Sequence, residues 1–224
     1  MKKSNLLEIA HPYLFVQRLR RELYKKSILG QVKFNCPVLS VGNLTFGGTG
    51  KTPIVLGVAQ AFQNQGKNVL VLTRGYHSEM EKIGGVLKCP QHVDASVWGD
   101  EPAFLASLLE GVTLGVGADR VDVYEEATIG GFEYDLVILE DGFQHLKIKR
   151  DLDLILMDAS KNWGRELQPP PLGRLRESVA TLGSADAVLL TRVEDDSDGK
   201  LSMLRELYKY SGPAFEMPST FEIE

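Results

Sequence analysis

A glycine-rich loop between an apolar run and a helical segment places the strongest constraint on how this chain can fold. The run Val38–Val41 is typical of a short buried strand, and the segment from Ile54 to Phe62 carries apolar residues at helical spacing. Between them lies Gly-Gly-Thr-Gly-Lys-Thr at positions 47–52. A strand, a glycine loop ending in Gly-Lys-Thr and a helix form the P-loop arrangement, so the sequence predicts a phosphate site.

The residue types in this loop suit phosphate and a divalent cation. Glycines let backbone N–H groups turn inward around phosphate oxygens, and the start of a helix adds its positive dipole end. We expect Lys51 to contact the β- and γ-phosphates and the Thr52 hydroxyl to bind Mg²⁺. A typical P-loop has glycine where this chain has Thr45, so a loop that merely joins strand to helix is the alternative. The predicted nucleotide-binding residues are Thr45, Phe46, Gly47, Gly48, Thr49, Gly50, Lys51 and Thr52.

Apolar strands alternate with helical segments through the rest of the chain. The predicted strands after the loop end at Leu72, Val116, Leu139, Met157 and Thr191. This alternation predicts an α/β fold with a doubly wound, mainly parallel sheet of the P-loop NTPase type. Residues 79–96 look irregular and are expected to form a loop or a small hairpin. The two cysteines match no metal or redox spacing, which favours a reducing compartment.

Charge is distributed unevenly along the chain. The net charge is −5, yet residues 1–51 hold nine Lys and Arg against two Glu. We therefore predict a basic amphipathic arm at 1–34 and a P-loop kinase domain at 35–224. The arm can lie on an anionic membrane surface, or it can pack on the core with its charges in water. Its predicted apolar face is Leu14, Phe15, Leu19, Leu23 and Ile28, with Arg18, Arg20, Arg21, Lys25 and Lys26 around it.

Acidic and basic side chains follow the predicted strands, where ligands bind in doubly wound sheets. Glu140 and Asp141 lie at a strand end, the expected place of a carboxylate that orients Mg²⁺. Asp100 and Glu101 precede a helix, where capping of the helix is the alternative to a catalytic role. The candidate substrate contacts are Arg74, Tyr76, Arg120 and Gln144.

Seven motifs follow one another between about residues 10 and 192. They are VGNLTFGGTGKTP (41–53), TRGY (73–76), GDEP (99–102), GADR (117–120), EDGFQH (140–145), RDLD (150–153) and GRLRE (173–177). In this order they resemble the tetraacyldisaccharide 4′-kinase family, the lipid A 4′-kinases of Gram-negative bacteria. The family's P-loop also carries threonine at the position of Thr45, which resolves the departure from the typical pattern.

The resemblance implies an activity and a location. The family transfers the γ-phosphate of ATP to the 4′-hydroxyl of tetraacyldisaccharide 1-phosphate, an acylated glucosamine disaccharide, with Mg²⁺ as cofactor. It works at the cytoplasmic face of the bacterial inner membrane, so the basic arm is expected to engage anionic lipid, and no nucleic acid partner is expected. Asp100 matches the aspartate that acts on the attacking hydroxyl, and Lys51 and Asp141 are the other catalytic candidates. The implied Mg²⁺ ligands are Thr52, Glu101, Glu140 and Asp141.

The chain also departs from the family pattern. Family members are commonly longer and carry a C-terminal lobe whose late Asp-His-His motif supplies a histidine partner for the catalytic aspartate. That motif is absent from these 224 residues, so we expect a fragment or a shortened homologue with impaired activity. A membrane-associated P-loop ATPase switch and a non-catalytic nucleotide-binding remnant are the alternatives. At four further positions this chain has a residue that differs from the one common in the family: Glu140 in place of Asp, His77 in place of Gly, Leu146 in place of a basic residue and Ser178 in place of Pro.

Overall fold

The computed structural model describes residues 11–193, 197–206 and 208–218. The helices are α1 Pro12–Lys25, α2 Lys51–Gln63, α3 Met80–Ile83, α4 Ala95–Trp98, α5 Asp100–Leu108, α6 Arg120–Ala127, α7 Trp163–Glu166 and α8 Ser197–Glu206, with a 3₁₀ helix at Val179–Ser184. The strands are β1 Val38–Asn43, β2 Val69–Thr73, β3 Gly85–Lys88, β4 Thr113–Val116, β5 Leu136–Glu140, β6 Leu152–Asp158, β7 Ala187–Val193 and β8 Ala214–Pro218.

The chain divides into two compact units that interleave in sequence. The first unit comprises residues 1–31, 42–50 and 152–224, and the second comprises residues 32–41 and 51–151. The boundary between them passes through the end of β1 and again just before Lys51. The predicted division into an arm at 1–34 and a domain at 35–224 follows different boundaries, and it stays a prediction.

The second unit is built on strands in the order β3-β4-β2-β5-β1. β3 and β4 are antiparallel, while β4, β2, β5 and β1 pair in parallel. Every residue of β2 and β5 is buried, as expected for parallel strands that are covered on both faces. A core cluster that includes Leu70, Leu72, Val121 and Val137 fills the space beside these strands. The carboxyl ends of β2 and β5 therefore lie side by side.

The first unit holds the glycine loop, α1 and three parallel strands in the order β6-β7-β8. The pairing of β7 with β8 is irregular between Thr191 and Val193. Arg192 lies in this irregularity with a left-handed backbone, φ 52°. Such bulges turn a side chain away from its regular direction, and here the affected side chain lies beside the glycine loop.

The α/β fold with mainly parallel strands is confirmed, and each predicted strand is present within a few residues. Residues 79–96, expected to be irregular, contain the edge strand β3 between α3 and the start of α4. β8 was not predicted, because a five-residue run carries too little periodicity to be recognised. Within the described residues, no helix is both long enough and apolar enough to cross a membrane.

The predicted apolar face of α1 is wrong in one respect. Leu14 is buried at 1% exposure, whereas Phe15 and Leu19 are 55% and 49% exposed. Neighbouring positions on a helix point about 100° apart. Leu14 therefore faces the protein while Phe15, the next residue, faces away from it, and the two do not share one face. The helix packs through Leu14, Leu23 is half-buried, and Phe15, Val16 and Leu19 point outward.

Candidate functional site

Polar side chains form hydrogen bonds with the buried side of the glycine loop in the first unit. Gly47 and Gly50 have φ of 111° and 82°, conformations that only glycine adopts without strain. Asn43 Nδ2 donates to the Gly47 carbonyl oxygen at 3.3 Å and to Thr49 Oγ1 at 3.0 Å. Thr191 Oγ1 donates to the Thr49 carbonyl oxygen at 2.9 Å. The buried side of the loop is thereby fixed, while Gly47 is exposed to solvent.

An ion pair between an exposed arginine and a buried carboxylate lies beside the same loop. Arg192, turned by its left-handed backbone, places Nη1 2.5 Å from Asp158 Oδ2 and 3.3 Å from the Gly48 carbonyl oxygen. The Asp158 side chain is 5% exposed. A buried carboxylate of this kind needs a charged partner. The pair thus ties the end of β6 to the glycine loop.

The predicted loop residues Thr45 and Phe46 lie on the outer edge of the loop. Thr45 forms an isolated antiparallel bridge with Leu175, and the Phe46 N–H donates to the Arg174 carbonyl oxygen at 2.7 Å. The Phe46 ring is 45% exposed, and the Arg176 guanidinium lies 5.0 Å from its centroid. The segment around Leu175 therefore lies along the outer edge of the loop and stabilises it through backbone hydrogen bonds.

In the second unit, Lys51 and Thr52 open α2. Lys51 Nζ lies 3.4 Å from Asp141 Oδ1, and the two side chains are 10% and 25% exposed. Asp141 directly follows β5 with a left-handed φ of 51°, a conformation that costs energy for a residue other than glycine. The backbone at this strand end thus directs a carboxylate toward the lysine of the P-loop motif.

Glu140, the last residue of β5, is almost fully buried at 1% exposure. Thr73 Oγ1 donates to Glu140 Oε2 at 3.0 Å, and Arg120 Nη2 donates to the Glu140 carbonyl oxygen at 2.8 Å. Glu140 Oε1 is also buried and has no hydrogen-bond partner among the described residues. An unsatisfied buried oxygen of this kind is unusual, and it points to a group that binds there.

Burial raises the pKa of Glu140 to about 7. Repulsion from Glu101 and Asp141 adds to the rise, and the positive charges of Lys51 and Arg120 oppose it. Two neighbouring carboxylates therefore add to the cost of ionising Glu140 at this strand end. The ionised form of Glu140 lacks sufficient compensating charge, and a bound cation would supply that charge.

Asp100 and Glu101 form the first turn of α5 and are exposed. The N-cap of this helix is Gly99, with φ 95°, and no side chain caps it. The capping alternative for Asp100 is therefore wrong. A Cβ on Gly99 would lie 3.4 Å from the Cα of Gly75, so the TRGY turn packs directly beside the start of α5.

The candidate substrate contacts differ in their surroundings. Arg74 Nε lies 2.6 Å from Glu81 Oε1, and its guanidinium is 5.7 Å from the ring of Tyr76, which is 65% exposed. Arg120 is 4% exposed and supports the carbonyl at the end of β5. Gln144 is half-buried. These contacts give Arg74 and Arg120 structural partners, and the substrate role of all four residues stays a prediction.

The predicted Mg²⁺ ligands do not form a ready-made cluster. In the part of the chain that the structure describes, no three His, Cys, Asp or Glu side chains are grouped closely enough to hold a metal ion. Mg²⁺ usually keeps several waters and binds through one or two carboxylates together with substrate phosphates. The metal roles of Thr52, Glu101, Glu140 and Asp141 stay predictions.

Several polar residues of the site were not among the predicted ones. Thr73 lies opposite Glu140 because β2 and β5 pair with Leu72 beside Leu139, a register that the sequence does not reveal. Asn43 lies within the loop motif, and its polarity at a buried strand end was the available signal. The role of Arg192 depends on its bulge, for which the sequence carries no signal.

Comparison with known proteins places the chain in a family. A model of the family "Tetraacyldisaccharide-1-P 4'-kinase" matches residues 3–219. The tetraacyldisaccharide 4'-kinase of Geobacter metallireducens is 40% identical over 84% of this chain and 55% of its own length. That of Pelobacter propionicus is 38% identical over 84% of this chain and 52% of its own length. The chain thus spans about half the length of the curated relatives it matches.

A solved structure agrees with this assignment. The crystal structure of LpxK from Aquifex aeolicus, determined in complex with ATP, superposes with a TM-score of 0.73 at 27% identity. The match covers 100% of this chain and 86% of the Aquifex chain. Since the family model extends over nearly all of the sequence, the chain belongs to the tetraacyldisaccharide-1-P 4'-kinase family.

Proposed function

We propose that this chain is an ATP-dependent kinase that phosphorylates the 4′-hydroxyl of tetraacyldisaccharide 1-phosphate in lipid A biosynthesis. Family membership and the ATP complex of the Aquifex relative support this proposal. The observation that carries it is the approach of Lys51 Nζ to Asp141 Oδ1 at 3.4 Å, where Lys51 directly follows the glycine loop and Asp141 directly follows β5. A P-loop lysine with a carboxylate at a neighbouring strand end is an arrangement that recurs in phosphoryl-transfer sites.

Nucleotide binding is assigned to the glycine loop and to Lys51. The positive φ values of Gly47 and Gly50 suit backbone N–H groups that converge on phosphate oxygens. Lys51 Nζ would exchange its carboxylate partner Asp141 for the γ-phosphate. This exchange is favourable because a phosphate carries more negative charge than a carboxylate, and the Asp141 side chain, 25% exposed, keeps access to solvent when Lys51 leaves it.

The acids at the end of β5 fit a magnesium ion. Glu140 has a buried oxygen without a partner and a pKa raised by burial to about 7, so a cation there would stabilise its ionised form. The Asp141 carboxylate and the Thr52 hydroxyl are further oxygen ligands of the kind that Mg²⁺ prefers. Bound Mg²⁺ would neutralise charge on the phosphate oxygens as transfer proceeds.

Asp100 is assigned to the acceptor hydroxyl. It lies in the exposed first turn of α5, where a bulky lipid headgroup can reach it. The 4′-oxygen attacks the γ-phosphorus, the bond to the β-phosphate oxygen breaks, and the hydroxyl proton passes to the Asp100 carboxylate. Because the transition state is loose and its charge is spread, orientation of the acceptor contributes most of the catalysis.

The test is transfer of radiolabelled phosphate from ATP to tetraacyldisaccharide 1-phosphate. We expect Asp100→Asn to bind Mg-ATP normally and to lose about 10²–10⁴-fold in rate. Asp141→Asn should weaken Mg-ATP binding as well. Asp122→Asn, an exposed aspartate in the first turn of α6, is the matched control and should be fully active. Unchanged transfer by Asp100→Asn would overturn its role, and ATP binding without transfer by the wild type would overturn the kinase assignment.

We also propose that α1 lies on the anionic cytoplasmic surface of the bacterial inner membrane. Phe15, Val16 and Leu19 are each about half exposed, and they form an apolar strip that nothing in the described chain covers. Arg18 and Lys25 are exposed beside this strip. A basic helix with an uncovered apolar strip binds the interface of anionic membranes. The arrangement supports the membrane interpretation over packing of the strip on the core.

A further inference from the structure

The face of α1 that points into the first unit combines the buried Leu14 with polar side chains. Arg21 Nε and Nη2 lie 2.8 and 2.7 Å from the same oxygen of Glu177, Oε2. Glu177 is 2% exposed, so this carboxylate depends on charged partners within the protein. Tyr13 and Gln17 occupy the same helical face, two turns and one turn before Arg21. Burial raises the pKa of the Tyr13 phenol, and Glu177 also raises it.

The residue before Glu177 continues this contact toward the glycine loop. The Arg176 N–H donates to the Leu44 carbonyl oxygen at 2.7 Å, and its guanidinium lies 3.5 Å from Asn43 Oδ1. The same guanidinium covers the ring of Phe46 at 5.0 Å. Asn43 in turn fixes Gly47 and the buried side of the loop. A continuous series of contacts thus connects α1 to the phosphate loop, entirely within the first unit.

We propose that Arg21 and Glu177 are positioning residues through which α1, when docked on a lipid surface, sets the geometry of the glycine loop. This inference rests on the proposed nucleotide and membrane binding. A lipid surface fixes the orientation of α1 through its outer face. The buried Arg21–Glu177 pair then transmits that orientation to the 174–177 segment, which is bonded to the loop at Leu44 and Phe46.

Two features of the contacts support transmission rather than simple anchoring. The Arg21–Glu177 pair is buried and charged, so separating its partners costs far more than separating two exposed ions. The outer part of the loop, at Gly47 and Gly48, is exposed and rich in glycine, and it is the more deformable end of the series. Movement of α1 is therefore expected to displace the loop before it breaks the pair.

The inference predicts a reciprocal effect between two ligands. Vesicles should tighten Mg-ATP binding by at least about fivefold, the lower range of measured couplings between sites. By thermodynamic linkage, Mg-ATP should tighten vesicle binding by the same factor. Wild-type protein alone allows this test: isothermal calorimetry gives ATP affinity, and sedimentation with phosphatidylethanolamine–phosphatidylglycerol vesicles gives membrane affinity.

Two charge-neutralising variants of α1 isolate the positioning contact. Arg21→Gln breaks the pair with Glu177, and Glu22→Gln removes one charge from the neighbouring exposed position of the helix. At vesicle concentrations that saturate binding, Glu22→Gln should keep the full enhancement of ATP affinity, while Arg21→Gln should lose it. Arg21→Lys, which retains the charge, should recover part of the effect. Thermal melting of each variant separates this loss from general destabilisation, which would lower the melting temperature without removing the dependence on vesicles.

The outcomes also distinguish this inference from the proposed function. Wild-type protein that binds both vesicles and Mg-ATP, each unaffected by the other, would overturn the inference alone. Retention of the full enhancement by Arg21→Gln would overturn the assignment to the Arg21–Glu177 pair. Absence of vesicle binding or of ATP binding by the wild type would overturn the corresponding part of the proposed function together with the inference.

Discussion

Lys51 is the residue on which the proposed nucleotide site depends most directly. Its ammonium group faces Asp141 at 3.4 Å and is mostly shielded from solvent. We expect Lys51→Ala to lower Mg-ATP affinity strongly and to abolish transfer, because the γ-phosphate loses its cation. The fold should remain intact, since Asp141 keeps access to solvent. Calorimetric titration with Mg-ATP, together with circular dichroism, measures both effects, and unchanged affinity would refute the role of Lys51.

Glu140 gives the protein a distinctive dependence on pH. Its pKa rises from 4.5 to about 7 on folding, chiefly because of burial. Between these values the folded protein binds more protons than the unfolded chain, so the free energy of unfolding should fall as pH rises through this window. The stability lost through Glu140 is on the order of 3 kcal/mol.

Glu140→Gln tests this dependence, since glutamine has the shape of the protonated acid but no titrating proton. Urea unfolding from pH 4.5 to pH 7.5, without metal, should show a smaller decline for the variant than for the wild type. A slope equal to that of the wild type would contradict the buried, proton-binding state of Glu140.

Some residues of the site could be predicted from the sequence, and others could not. Lys51, Glu140 and Asp141 lie in motifs where spacing alone marks them, because a strand followed by polar residues places those residues at the edge of the sheet. Arg192 could not be foreseen, since its position depends on a left-handed backbone in a bulge. The same holds for Thr73, because its contact with Glu140 depends on the register between two strands.

At the level of elements, the TRGY turn packs closely against the start of α5, with Gly75 of the turn beside Gly99, the N-cap of the helix. A Cβ on Gly75 would lie 2.4 Å from Val116 Cγ1 and 3.1 Å from the Trp98 carbonyl oxygen, and the residue has φ 67°. Gly84 has a similar φ of 80°, but a Cβ there would lie at ordinary contact distances, 3.6 Å from Val123 Cγ2 and 4.0 Å from the Val116 carbonyl oxygen. Alanine at position 75 therefore causes both steric overlap and backbone strain, whereas alanine at position 84 causes backbone strain alone.

We expect Gly75→Ala to destabilise the protein by about 1–3 kcal/mol more than Gly84→Ala, the cost of the overlap. It should also reduce transfer, because the displaced turn shifts the start of α5 where Asp100 lies. Chemical denaturation and the phosphate-transfer assay measure the two effects. Equal losses for both variants would show that backbone strain alone is at work.

The outer face of α1 gives a second prediction for an element. Reversing Arg18, Lys25 and Lys26 to Glu should weaken binding to anionic vesicles by well over 100-fold, since each basic residue near such a surface contributes about 1 kcal/mol. Added salt should reduce wild-type binding in the same direction. Arg21 is left unchanged because it pairs with Glu177 inside the unit. Equal sedimentation of both proteins with vesicles would contradict membrane docking of α1.

The elements were easier to foresee than their orientations. Long apolar strands such as β2 and β5 follow directly from runs of Val, Leu and Ile. The basic helix at the N-terminus was predicted, but its inward face was not. Polar residues such as Gln17 and Arg21 rarely mark a packed face, and the contact of Arg21 depends on one buried glutamate more than 150 positions later.

For the whole molecule, binding of Mg-ATP should raise the free energy of unfolding. Mg-ATP at about 100 times its dissociation constant stabilises the folded state by about 2.7 kcal/mol. For a protein of this size that corresponds to a rise in melting temperature of roughly 5–10 °C. Thermal melting with and without Mg-ATP measures the shift. Lys51→Ala should show little of it, and a full shift in that variant would contradict the assigned site.

The α/β architecture of the molecule was readable from sequence, whereas its division into two units was not. The regular alternation of strands and helices reports fold class, because each strand must be covered by helices. The unit boundaries pass through the P-loop motif itself, separating Gly50 from Lys51. Nothing in local composition signals such a boundary, since it arises from which distant segments pack together.

The outward strip on α1 has a practical consequence for handling the protein. Phe15, Val16 and Leu19 are exposed to water when no lipid is present, and exposed apolar surface promotes association. In buffer without amphiphiles, copies of the chain are expected to associate through this strip, increasingly so at high concentration. Mild detergent should disperse these assemblies by covering the strip, and light scattering during a detergent titration would follow the change. Preparations intended for crystallisation or for quantitative titrations therefore need a lipid-like additive from the first purification step.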